Sequence, residues 1–255
     1  MNVTHDLRPL LDQWPYDPTK NVRIVKGVDG REILQVRLPL GLEQYEMDGR
    51  PDGQRPHGCE SALSFQLQRL SQAQSQGEEA AFKINEEDCA ELFAEGVLYY
   101  YRYLQFFQMR DWQRTVRDTE RNLKALDLVH QFAERQEDRL YLEQWRPYIL
   151  RINATARAMI SLGRGDYLNA VEIVQQTMET IDSLPEIDNE VFAIERQRSL
   201  TALKKLATQL KRNRPLSKLE RLERSLRRAI ATQAFERAAK LRDQIRALRQ
   251  TEPTS

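Results

Sequence analysis

The chain has 255 residues, of which 30% are charged and 40% apolar, and its mean hydropathy is -0.67. That profile excludes a low-complexity chain and fits one large helical domain, or a domain with an appendage. Net charge is +1, but it is unevenly spread. Residues 1–210 hold 26 basic against 33 acidic side chains, a net of -7, while residues 211–255 hold 13 against 5, a net of +8. A split of this kind points to an electrostatically steered partner for the tail, or to docking of tail on body.

No apolar run reaches the roughly 18–20 residues of a membrane span, and "MNVTHDLRPLLDQW" has neither a basic n-region nor an apolar h-region. A cytoplasmic protein with no membrane partner is therefore expected, with the sequons at Asn2 and Asn153 unglycosylated. Its two cysteines, Cys59 and Cys89, are expected as reduced thiols. They form no CxxC pair, and His57 with Cys59 lacks further ligands nearby, so no metal site is expected.

A short helix is predicted within residues 4–14. Val22, Ile24 and Val25 form a β-prone run, and Asp29-Gly30 supplies a hairpin turn. Leu34, Val36, Leu38, Leu40 and Leu42 then alternate at two-residue spacing, which predicts a half-buried strand bent near Pro39 and Gly41. A β-hairpin alone buries too little, so it must pack on helices. The glycine- and proline-rich stretch "MDGRPDGQRPHG", residues 47–58, reads either as an ordered connector or as a binding loop. In the second case Asp48, Arg50, Asp52 and Arg55 would make its contacts.

From Glu60 the chain reads as helix. "SALSFQLQRLSQAQ" is amphipathic and stops near Gly77. Asn85 opens a further helix with Glu86, Glu87 and Asp88 in its first turn, a favourable place for negative charge. Residues 92–112 then hold eight of the chain's twenty aromatics. Phe93, Tyr100, Leu104 and Phe107 share one helical face, which favours a core over a base-stacking platform. Arg102, among the tyrosines, is expected to stack on a ring or pair internally.

An internal repeat at an offset of 55 follows. Arg102 aligns with Arg157, Asp111-Trp112 with Asp166-Tyr167, Val116 with Val171, and Leu126 with Ile181. Each copy predicts a helix, a tight turn at the Asp-aromatic pair and a second helix, and such hairpins must stack. The second copy, "LGRGDYLNAVEIV", resembles a tetratricopeptide repeat, with Gly165, Asp166, Tyr167 and Ala170 in place. The first copy has Thr115 where that family has alanine, and the spacing is longer than the family's period. The resemblance implies long helical hairpins presenting a groove to proteins. A last body helix is predicted from about Glu186 to Arg212, and Pro215 marks a boundary.

Ser217-x-x-Glu220 has capping-box spacing. Leu219, Leu222, Leu226 and Ile230 form one stripe. Phe235, Ala238, Leu241, Ile245 and Leu248 form another, and a short turn at Thr232–Ala234 joins them into an antiparallel helical hairpin. The predicted architecture is thus mainly α. An N-terminal β-hairpin segment (1–58) packs on a helical-hairpin body (59–212), and a terminal hairpin (215–250) follows.

"LERLERSLRRAIATQAFERAAKLRDQIRAL" resembles the UVR motif found at the C-terminus of UvrB and UvrC. Phe235-Glu236, Ala238-Ala239 and Leu241-Arg242-Asp243 carry its most distinctive part, and Leu226, Ala229, Ile245 and Leu248 match its flanking apolar positions. The resemblance implies a hairpin that docks one protein to another. On it, Leu222, Leu226, Phe235, Ala238, Ala239, Leu241, Arg242, Asp243, Ile245 and Leu248 would form the partner-binding set. Phe235 would be the anchor and the arginines would govern encounter. The partner would be another protein or a second copy of the chain, with a link to DNA repair or stress response.

No P-loop occurs, and the three histidines, His5, His57 and His130, suggest no catalytic grouping. An enzyme would have to use Glu43, Glu46, Asp48 and Asp52, whose neighbours Arg50 and Arg55 are better placed to pair with them. The expectation is therefore a non-catalytic adaptor with no cofactor. The alternative is nucleic-acid binding through the basic tail, although Glu220, Glu223, Glu236 and Asp243 interrupt its charge.

Overall fold

The structure, a computed structural model, describes residues 6–215 and 218–251. They fold into two compact units, one running through Thr208 and the other from Gln209 onward.

The first unit opens with helix α1 (Arg8–Gln13) and strands β1 (Val22–Lys26), β2 (Glu32–Leu38) and β3 (Gly41–Glu46). Both strand pairs are antiparallel, so the sheet is a meander in the order β1-β2-β3. The bend expected at Pro39 is a full reversal. Leu38 pairs with Gly41 across a two-residue turn, and Leu40 sits at its tip, 93% exposed. The alternation predicted across Leu34 to Leu42 therefore belongs to two strands. Leu34 and Val36, the buried apolar members of β2, meet Tyr45, Met47 and the helical Phe106 in one apolar cluster. This is how the small sheet is joined to the helices, as the physics of a marginal sheet requires.

Helices α2 (Ala62–Gln76), α3 (Glu86–Gln108), α4 (Trp112–Phe132), α5 (Gln136–Glu143), α6 (Arg146–Gly163), α7 (Tyr167–Asp182) and α8 (Glu190–Asn213) follow, and α8 runs on into the second unit. Local chemistry sets their ends. Ser61 Oγ accepts from the Ser64 N–H, and Gly77 closes α2 in the left-handed region. Asn85 Oδ1 accepts from the Asp88 N–H at 2.8 Å, starting α3. Such caps satisfy amides that the helix cannot. Ile84, just before α3, bridges to Ala133, just after α4. The main core lies here, with Leu63, Ile84, Leu92, Val129, Phe132 and Ile149 among its members.

The repeat at offset 55 is a structural one. In α3–α4 the Asp111 N–H donates to Phe106 O and the Arg110 N–H to Phe107 O. In α6–α7 the Asp166 N–H donates to Ser161 O and the Gly165 N–H to Leu162 O. This is the Schellman closure, which places the residue before each aspartate at positive φ: 62° for Arg110 and 78° for Gly165. Asp111 and Asp166 then cap the following helices through Arg114 and Asn169. Thr115 and Ala170, the aligned small residues, are both fully buried. Asn153 of α6 is buried too, and donates to Thr119 Oγ1 of α4 at 3.0 Å.

One expectation is displaced around its helix. The fully buried face of α3 is Leu92, Glu95, Arg102, Tyr103 and Phe106, while Phe93, Tyr100, Leu104 and Phe107 are only half-buried. Apolar spacing pointed to the neighbouring face because two of the innermost residues are charged. Arg102 pairs internally and lies over the Tyr99 ring at 4.9 Å, as expected of it.

Candidate interaction surfaces

The second unit contains helices α9 (Lys218–Ala231) and α10 (Phe235–Thr251), packed as an antiparallel pair. Its turn repeats the geometry of the body. The Ala234 N–H donates to Ala229 O at 2.8 Å and the Gln233 N–H to Ile230 O at 3.0 Å. Gln233 stands at φ 56°, where a glycine would normally be found. The Ser217 half of the predicted capping box lies outside the described residues, as does the side chain of Glu220.

Within the pair, Ala229 and Ile245 are buried, at 4% and 7% exposed. Leu222, Leu226, Ala238, Leu241 and Leu248 are half-buried, and Ala239, Arg242 and Asp243 are exposed. Arg242 and Asp243 lie 3.6 Å apart as a surface ion pair. Phe235 is 69% exposed, and Ile230, facing it across the turn in sequence, is 55% exposed. The expected partner-binding residues thus fall into two groups. Ile245 is interior, because a pair of short helices needs an apolar seam, and only part of the set remains open. Ile230 belongs with Phe235 at the turn end. Its place as the last apolar residue of the α9 stripe was the available signal.

The 47–58 loop is tied to the helices by a charged junction. Arg102 and Asp118 form a bidentate pair, at 2.7 and 2.9 Å, with both side chains almost wholly buried. Arg102 Nη1 also donates to Glu46 O at 2.8 Å. Arg117 bonds Asp118, Met47 O and Asp48. Arg50 pairs with Asp52 at 2.9 Å and with buried Glu95 at 3.2 Å. Glu95 also pairs with Arg121 and accepts from the Ala62 and Leu63 amides. A carboxylate from α3 thereby neutralises the positive N-terminus of α2. Burial and the nearby Arg50 charge push Arg121 down to about 9, which leaves it cationic beside Glu95 at neutral pH. Three of the four predicted loop contacts, Asp48, Arg50 and Asp52, are thus engaged within the body, while Arg55 is exposed. His57 stacks on Phe65 at 4.1 Å and reaches Glu91 at 2.9 Å.

Residues 217–251 match the family model described as the UvrB/uvrC motif. The chain carries a UVR motif. The matched stretch covers the α9–α10 pair with its turn, and the helical body precedes it. No curated protein and no solved structure matches the chain.

Proposed function

We propose that this chain is a non-catalytic adaptor whose UVR hairpin docks a second protein. The observation that carries the reading is the open apolar pair Ile230 and Phe235 at the turn end of a matched UVR motif. Arginines at 224, 227, 228 and 237 surround it in sequence. An exposed aromatic beside arginines has the composition of an interface hot spot. The basic helices would speed encounter with an acidic surface more than they would deepen affinity. The tetratricopeptide-like hairpins of the body would present a second surface, so one chain would join two partners in a bacterial cytoplasm. UVR motifs occur in DNA-repair proteins, and a repair or stress-response role is the corresponding proposal.

The test is capture of interacting proteins by the full chain, by a version ending at Arg214, and by Phe235→Ala. Phe235 is largely exposed, so its truncation should leave the unfolding free energy in urea within about 0.5 kcal/mol of the parent while removing the captured protein. Capture that is unchanged in both variants would refute the proposal. DNA or RNA binding that weakens steeply with salt and disappears with the hairpin would establish the nucleic-acid alternative instead.

A further inference from the structure

Between α3, α4, α5, α6 and α8 the body contains a half-open cavity of about 350 Å³. Six aromatic side chains line it: Phe93, Tyr100, Tyr101, Tyr103, Trp145 and Tyr148. Tyr101 and Trp145, at 45% and 38% exposed, mark its mouth. This size and lining fall in the range of small-molecule sites.

Two further observations bear on what it holds. The first is Gly96, which lines the cavity from the middle of α3. A glycine inside a helix weakens it. Packing does not demand it here, because an added Cβ would meet nothing closer than Asn122 Oδ1, at 3.8 Å. The missing side chain leaves space open. The second is charge. Glu195 is the one ionisable acid or base among the lining residues apart from the tyrosines, and Arg198 Nη1 neutralises it at 2.9 Å. Asn122 is committed as well, donating to Gly96 O at 2.9 Å and accepting from Arg121. Burial raises the Tyr103 and Tyr148 hydroxyls well above the usual phenol range, so both stay protonated.

We infer that this cavity is a binding site for a small, uncharged aromatic molecule. Ring walls favour a ring through edge-to-face and offset stacking, and a lining whose one charged group is already paired penalises an ion by its desolvation. The site lies wholly within the first unit and does not depend on the docking role of the hairpin.

The experiment is ¹⁹F NMR titration of the full chain with 4-fluorophenol, 4-fluorobenzoate and 4-fluorobenzylammonium. Saturable one-site binding of 4-fluorophenol is expected, with both ions at least ten-fold weaker. Gly96→Leu and Val97→Phe, which fill the cavity from adjacent α3 positions, should each weaken it at least ten-fold with the helical circular-dichroism signal retained. If one variant fails to fold, the other decides. Absence of saturable binding, equal or tighter binding of either ion, or binding unchanged in a folded filled variant would overturn the assignment.

Discussion

Arg102 shows how a charged side chain can be the centre of a core. Its guanidinium is fully buried against Asp118, with a third bond to Glu46 O. Removing one partner of such a pair strands the other charge in a low dielectric. Asp118→Ala is therefore expected to lose about 3–5 kcal/mol in urea denaturation. The double variant Arg102→Met/Asp118→Leu should lose much less, because both buried charges go together and Arg117 keeps Asp48. With the matching single variants Arg102→Met and Asp118→Leu it completes the cycle that gives their coupling. A second residue-scale expectation concerns the thiols. Burial pushes Cys89 up to about 12, and the residue is only 3% exposed. Cys59 is half-buried and accessible at its surface. A disulfide reagent at pH 8 should modify one thiol per folded chain quickly, and the second only on unfolding.

At the scale of the element, three helical hairpins close with one backbone device but three different residues at positive φ: Arg110, Gly165 and Gln233. Only the glycine is free of the steric penalty there. Gln233→Gly should therefore stabilise the hairpin by up to about 1 kcal/mol, read as a higher midpoint for helix loss in that unit. Arg110→Gly provides the matching test in the body. Gly96→Ala should raise body stability by about 1 kcal/mol, because alanine favours the helix and has room. The repeat, the helix start at Asn85, and the hairpin turn at Gly30 were legible in sequence because each depends on a few local residue types. The third strand was not, because a two-residue turn at Pro39-Leu40 preserves the same alternation as a straight strand. The buried face of α3 was also hidden, since apolar periodicity gives no weight to Glu95 or Arg102. Their partners, Arg50, Arg121 and Asp118, lie far away in sequence or on another helix.

For the whole molecule, alkaline pH tests the buried core. Burial raises Cys89 from 9.0 to about 12 and Tyr99 from 10.0 to about 12, and raises Tyr45, Tyr103 and Tyr148 as well. Each group keeps its proton longer in the folded chain than in the unfolded one. Its contribution is thus complete below its unfolded value and is lost as pH rises toward the folded value. The urea midpoint should fall between pH 8 and pH 10.5, and a flat profile would contradict these burials. The hairpin was readable as a motif but not as a surface. Sequence marks both apolar stripes, yet only packing separates interior Ile245 from open Phe235 and Ile230.

The junction at the 47–53 loop also governs how the molecule looks from a distance. Its four guanidiniums, at 50, 102, 117 and 121, meet four carboxylates, at 48, 52, 95 and 118. The cluster is electrically silent beyond a Debye length. All of the acidity that an approaching cation senses must therefore come from the rest of the body. Charge reversals there would alter association rates alone, whereas the same reversals at the junction would unbalance the cluster and alter folding as well.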